Sequence, residues 1–381
     1  MIKKKYLLTP GPTPVPEKVL AIASEPIIHH RTPEFSKIYK EMSEDLKYVF
    51  QTKNDVYTLT SSGTGAMESA VVNLVSKGDK VLVINGGKFG ERWGQIARTY
   101  GAEVLEEKIE WGDDLPTERL EEILDKNKDI KVVFSTLSET STGTVYDIKS
   151  FSEVVRNYDA LLVVDGISGL AATECPMDEW EIDVLITGSQ KSLMIPPGTA
   201  YISLNDKAWK VIEKNSTPSY YFDLKKYKKS HAKDTTPYTP ALTLIIQQRE
   251  ALKLIKETTL EGLLEHHKIL GNAMRSAIKA LDLELFSKKP GNILTSVKVP
   301  EGIDGNQLVK SMQYKYMAHI SNAQDPMKGK FFRIAHLGYM GAFDVMTAIS
   351  ALEMTLMDMG YKFEHGAGIR AAQKILQENW K

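Results

Sequence analysis

A lysine and an aspartate stand where each could do chemistry. Asp165 ends the apolar run Leu161-Leu162-Val163-Val164 and is followed by Gly166. A carboxylate there is a helix cap or turn former, a metal ligand, or the partner of a buried cation. Lys191 follows the next apolar run, Val184-Leu185-Ile186-Thr187, and the polar turn Gly188-Ser189-Gln190. Just beyond it Pro196-Pro197-Gly198 forbids an ordinary helix. A lysine attacks a carbonyl only as the free amine, and partial burial lowers its pKa toward that form. Singly the two residues read as a surface lysine and a capping aspartate. Together they meet two needs of pyridoxal phosphate: an amine for the aldehyde, and an acid that keeps the pyridine nitrogen protonated so that the ring can accept electrons.

Such a cofactor also needs a phosphate cradle. Ser62-Gly63-Thr64-Gly65 lies between an extended apolar run and a helical one. Glycines let backbone approach a phosphate, and a helix start offers N–H groups and a positive dipole. The same residues also read as an ordinary helix cap. No Gly-Lys-Ser/Thr follows, so the turn is not a Walker A loop. Met67 and Glu68 break the dinucleotide Gly-x-Gly-x-x-Gly spacing. In Glu139-Thr140-Ser141-Thr142-Gly143, hydroxyls could hold a phenolic oxygen, or the stretch is a solvated loop. Phe89 could stack on a flat ring or be core at a helix start. Arg333, alone in Phe331-Phe332-Arg333-Ile334, offers a fork for a carboxylate or one half of an ion pair between domains.

The elements that carry these residues read as an α/β chain. Pro10, Pro12, Pro14 and Pro16 make an extended arm. Phe35, Ile38, Met42, Leu46 and Val49 predict a helix over about 33–50. Strands are then expected at 56–60, 80–84, 103–105, 131–136, 161–165 and 184–187. Helices at about 66–75, 89–100, 117–125 and 149–157 alternate with them. Short, continuously apolar strands alternating with helices predict a mainly parallel sheet covered on both faces, with ligands at the carboxyl ends of its strands. Past residue 255 a long helix over 260–281, a strand at 294–299, the Arg333-Ile334-Ala335-His336 run and a helix over 343–359 predict a smaller α+β domain. The expected division is an arm over 1–16, a large cofactor-binding domain over 17–255 and a small C-terminal domain over 256–381.

Composition narrows the function classes. The 381 residues carry 48 Lys+Arg against 49 Asp+Glu, which speaks against a protein organised around a polyanion. The basic run Leu224–His231 therefore reads as a solvated or dimer-edge segment rather than a nucleic-acid site. Cys175 is the only cysteine, so intramolecular disulfides and multi-cysteine metal sites are excluded, and no metal is expected. There is no apolar run of membrane-spanning length, and the basic start has no apolar segment behind it, so a cytoplasmic enzyme is expected.

With these motifs in hand, the chain resembles the class V aminotransferases of fold type I, specifically the alanine–glyoxylate / serine–pyruvate aminotransferase family. The resemblance runs through Leu8-Thr9-Pro10-Gly11-Pro12-Thr13, His29-His30-Arg31-Thr32-Pro33, Ser62-Gly63-Thr64-Gly65-Ala66-Met67-Glu68, Glu139-Thr140-Ser141-Thr142-Gly143, Gly188-Ser189-Gln190-Lys191, Thr236-Pro237-Tyr238-Thr239-Pro240 and Arg333-Ile334-Ala335-His336. It implies pyridoxal 5'-phosphate bound covalently to Lys191, which then shuttles the substrate's α-proton. It implies Asp165 at the pyridine nitrogen, Ile167 under the ring and Phe89 on its other face. Ser62, Gly63, Thr64 and Gln190 would hold the phosphate, Thr140 would lie near the ring hydroxyl, and Arg333 would grip the substrate carboxylate. Thr236 and Thr239 would reach the phosphate of a neighbouring subunit's cofactor, giving a homodimer with shared sites. Some relatives carry Tyr at the first of these positions, and Ala335 replaces a common glycine.

The implied reaction is ping-pong transfer of an amino group from alanine or serine to glyoxylate or pyruvate. Phosphoserine or 2-aminoethylphosphonate transamination is the alternative, with His29, His30 and Arg31 either anchoring the extra anion or packing and capping. A cysteine desulfurase is excluded, because Cys175 precedes Lys191 and none follows. A non-catalytic subunit on this fold is the remote alternative, and the presence of both Lys191 and Asp165 speaks against it.

Overall fold

The computed structural model describes residues 3–380. Its centre is a seven-stranded sheet in the order Val56–Leu59, Ala200–Leu204, Val184–Gly188, Leu161–Asp165, Ile130–Thr136, Lys80–Asn85 and Glu103–Lys108. The last five of these run parallel, in register Asp165 opposite Ile186 and Thr136 opposite Asp165. Alternation divides their side chains between two layers. Leu82, Val133, Leu162, Val164 and Leu185 face the layer that contains the helix Pro33–Phe50. Val81, Val83, Val132, Phe134, Leu161, Val163, Val184 and Ile186 face the helices Gly63–Leu74 and Lys88–Thr99. Burial on both sides explains why these strands read as unbroken apolar runs. Asp165 continues the parity of Leu161 and Val163, so it emerges at the strand end on the side of those two helices.

The α/β class and mainly parallel sheet are as expected, with one strand added. Ala200–Leu204 lies antiparallel between Val56–Leu59 and Val184–Gly188. The Lys191–Thr199 connection is too short for the crossover that a parallel neighbour demands, so the chain turns straight back. The helix expected from residue 66 begins at Gly63, because the Ser-Gly-Thr turn is already its first turn. The basic run Leu224–His231 is a helix that buries Leu224 and Tyr227. Helices Leu242–Thr258 and Ala367–Glu378 were not anticipated.

The C-terminal part holds an antiparallel sheet, Leu294–Lys298, Phe331–Ala335 and Ser321–Asn322, backed by the helices Leu260–Ala280, Ala342–Asp358 and Ala367–Glu378. Phe332 and Ile334 enter that core, which turns Arg333 to the opposite face. The proline-rich arm links the two sheets. Tyr6–Leu7 pairs with Ala318–His319. The Leu8 carbonyl accepts from Ala335 N–H at 3.0 Å, and Thr13 N–H donates to the Gln190 carbonyl at 3.2 Å.

Candidate active site

Asp165 is 3% exposed, and its Oδ1 accepts from the Ile167 amide at 2.8 Å. Burial pushes its carboxyl up to about 7; the Ile167 amide opposes this, and the charge of Glu139 adds to it. Lys191 behaves in the complementary way. Burial brings its amine down to about 8, Asp165 opposes that, and Arg333 and Arg92 reinforce it. A base and an acid whose pKa values are pushed toward one another suit proton transfer at neutral pH. The Lys191 ammonium donates to the carbonyl of Pro10, and its own carbonyl accepts from Thr13 Oγ1 at 3.1 Å. The arm therefore forms one wall around the lysine.

The phosphate-type turn has the geometry of an open anion site. Ser62 stands at the N-cap of the helix Gly63–Leu74 but makes no side-chain cap hydrogen bond. A helix start left uncapped keeps amide donors for an incoming anion. A Cβ at Gly63 would come within 2.5 Å of Ile167 Cδ1, so only glycine lets Ile167 lie against this turn. Ile167 and Gln190 also crowd Gly188, where an added Cβ would sit 3.3 Å from each. Ser62, Gly63, Ile167, Gln190, Asp165 and Lys191 thus gather at the carboxyl ends of two adjacent strands. These residues fit pyridoxal phosphate: an amine of lowered pKa, a buried acid short of a cation, and an uncapped helix start.

Arg333 is 6% exposed and is held by backbone carbonyls rather than by a carboxylate. Nε and Nη2 donate to the Asn322 carbonyl at 3.2 and 2.6 Å, and Nη1 donates to the Thr140 carbonyl at 2.7 Å. The ion pair between domains, one of its two sequence readings, is not made among the described residues. Burial lowers its pKa to about 10, so it stays cationic. Its remaining N–H groups can serve a carboxylate ligand. Thr140 is buried and meets Arg333 through its carbonyl.

Phe89 is positioned by a residue that sequence reasoning did not single out. Glu139 is fully buried; its Oε2 accepts from the Phe89 and Gly90 amides at 3.1 and 3.0 Å, capping the helix Lys88–Thr99. Its Oε1 accepts from the Ser141 amide at 3.1 Å and from the Ser141 hydroxyl. Burial pushes the carboxyl up and these donors oppose it. Three backbone amides and one hydroxyl thus converge on the two oxygens of this buried carboxyl. Its position directly before the Thr-Ser-Thr hydroxyls was the available signal.

Thr236 and Thr239 stand apart. The Thr236 hydroxyl donates to the Tyr238 carbonyl at 2.7 Å, and Thr239 is exposed. Neither forms a hydrogen bond to the Lys191 group. Arg31 pins this loop, donating to Thr235 Oγ1 at 2.9 Å and to the Thr236 carbonyl at 2.8 Å. Cys175 is buried, and among the described residues no cluster of His, Cys, Asp and Glu is placed to hold a metal ion.

Residues 5–321 match the family described as aminotransferase class-V. A serine–glyoxylate aminotransferase of Methylorubrum extorquens is 35% identical, over 99% of this chain and 97% of its own length. The small subunit of a soluble hydrogenase from Synechococcus sp. is 40% identical over 99% of each chain. Among solved structures, ureidoglycine–glyoxylate aminotransferase from Bacillus subtilis superposes with a TM-score of 0.95 at 31% identity, over 99% of each chain. The family match reaches from the arm to the Ser321–Asn322 strand, the full-length relatives carry it through Arg333 to the last helix, and the chain belongs to the aminotransferase class-V family.

Proposed function

We propose that this enzyme is a pyridoxal 5'-phosphate-dependent transaminase that moves the amino group of alanine or serine to glyoxylate or pyruvate in a ping-pong cycle. The observation that carries the proposal is the buried Asp165–Lys191 pair at the mouth of an uncapped helix. The bound cofactor supplies an electron sink for the substrate's α-carbon. Asp165 would keep the pyridine nitrogen protonated; its raised pKa marks a carboxylate that gains from a cation beside it. Lys191 supplies the attacking amine and then takes and returns the α-proton as general base. Arg333 would orient the substrate through its carboxylate, and Thr140 would lie near the ring hydroxyl. Ser62, Gly63, Thr64 and Gln190 would hold the phosphate, with Ile167 and Phe89 against the ring. The arm's wall over Lys191 narrows the site, which favours small side chains.

The same proposal includes a homodimer in which Thr236 and Thr239 serve the neighbouring cofactor. Its support is that Thr239 is exposed, on a loop whose Tyr238 stacks on the exposed Tyr221 at 5.1 Å. Phosphoserine and aminoethylphosphonate are disfavoured because Arg31 already spends donors on that loop. A hydrogenase reading finds no support in the residues: thiolate-held iron–sulfur clusters need several cysteines, and this chain has one. Among the described residues no helix is long and apolar enough to cross a membrane; a cytoplasmic location and the three-part division of the chain belong to the proposal.

The test is a visible spectrum of the purified protein. A cofactor band that bleaches with L-alanine or L-serine and returns with glyoxylate or pyruvate supports the proposal. A band that only phosphorylated amino acids bleach overturns the substrate assignment. No band after incubation with pyridoxal phosphate overturns the cofactor. Sedimentation at twice 42.6 kDa supports the dimer.

A further inference from the structure

The phosphate set named above, Ser62, Gly63, Thr64 and Gln190, contains no cation. A phosphate dianion taken out of water is held best where a positive charge meets it. One candidate lies beside Thr64. Arg92 sits one helical turn beyond Phe89, half-buried, and its Nη1 donates to Thr64 Oγ1 at 3.1 Å. Its guanidinium carbon stands 4.9 Å from the centre of the Phe89 ring, a cation–π contact that fixes the side chain's direction.

The other cations of this helix have carboxylate partners. Lys88 meets Glu91 at 2.7 Å and Arg98 meets Glu106 at 2.6 Å. Arg92 makes no ion pair among the described residues. Its field nevertheless reaches the centre of the site, where it acts on both Lys191 and Asp165. Arg92 is thus a cation without a counter-charge beside a helix start without a cap. The bond to Thr64 has a further consequence. A hydroxyl that accepts from a guanidinium keeps its own hydrogen free to donate elsewhere.

We propose that Arg92 is a phosphate-binding residue of the cofactor site. It supplies the positive charge for the dianion and, by occupying a Thr64 lone pair, turns the Thr64 hydroxyl hydrogen toward the same phosphate. This rests on the cofactor reading given under Proposed function. The experiment compares the wild-type protein with Arg92→Met and Arg92→Lys, each stripped of cofactor and shown by its melting profile to be folded. Each is titrated with pyridoxal phosphate and, separately, with pyridoxal, which lacks the phosphate. Each is also melted with and without inorganic phosphate.

Arg92→Met is expected to weaken pyridoxal phosphate at least tenfold while changing pyridoxal less than twofold. Arg92→Lys recovers part of the loss. The rise in melting temperature that inorganic phosphate gives the wild type disappears in Arg92→Met. Equal losses for both aldehydes would mean that Arg92 acts on the ring through Phe89, and no loss for either would mean that it does not act on the cofactor; each overturns the proposal. If the wild type binds neither aldehyde, the cofactor reading fails by itself. The melting shift then decides for Arg92: a shift lost in Arg92→Met supports an anion site, and an unchanged or absent shift overturns it.

Discussion

The Lys191 ammonium donates to the carbonyl of Pro10, 181 positions earlier in the sequence. At Gly11 the arm has no room for a side chain. Gly11 has φ +140°, and a Cβ there would lie 2.5 Å from both Lys191 Cε and Nζ.

Gly11→Ala therefore acts on the proposed reactive amine itself. The backbone is strained for alanine and the methyl group occupies the lysine's space. Turnover is expected to fall at least 100-fold, with the unfolding temperature lowered by only a few degrees, since the arm contributes little to the two main cores. Steady-state kinetics and a melting curve check this together. Full activity in the alanine variant would show that the arm does not wall the site.

The amine of Lys191 is lowered to about 8, chiefly by burial. The rate at which the cofactor-free protein captures pyridoxal phosphate should rise with pH, pass half its plateau near pH 8 and level off above it, because only the free amine attacks. An ordinary lysine would keep accelerating beyond pH 10. Stopped-flow capture rates between pH 6 and 10 distinguish the two.

In the cofactor-free protein Asp165 costs stability. Its folded-state pKa is raised from 3.8 to about 7, so the unfolded chain ionises first. The group's stabilising contribution is intact below about pH 4 and is lost as pH climbs toward 7. Asp165→Asn should accordingly raise cofactor-free stability by roughly 4 kcal/mol at pH 8 and leave it nearly unchanged at pH 4. Urea unfolding at the two pH values measures the difference. The same variant should lose most of its transaminase activity, which separates stability from function.

Glu139→Gln exchanges one carboxylate oxygen for an amide NH2, which then faces donors it cannot accept from. The expected cost is about 2–4 kcal/mol, the range for breaking a buried, charged hydrogen-bond set. Hydrogen exchange at the Phe89 and Gly90 amides should accelerate as the helix start loosens. If both amides remain as protected as in the wild type, Glu139 does not hold Phe89.

The residues proposed to react were legible in the chain because their chemistry is tied to residue type and local setting. Asp165 closes one apolar run and Lys191 follows the next across a polar turn, and the β/α alternation from Val56 to Lys191 marks a covered parallel sheet. The strand Ala200–Leu204 escaped notice because its direction depends on the shortness of a connection, not on its own pattern. Glu139 escaped because a glutamate in a polar stretch looks solvated until the amides of Phe89 and Gly90, some fifty positions earlier, are seen to converge on it.

Local order along the chain thus settled which groups could react, since strand ends, glycine turns and apolar runs are properties of neighbouring residues. Which groups meet was decided only in three dimensions. The arm closes over Lys191, Arg333 commits three of its donors to the Asn322 and Thr140 carbonyls, and Arg92, without an ion-pair partner among the described residues, stands beside Thr64. These relations join residues from separate elements. Burial then sets their charges, raising the acid and lowering the amine, and burial is a property of the packed whole.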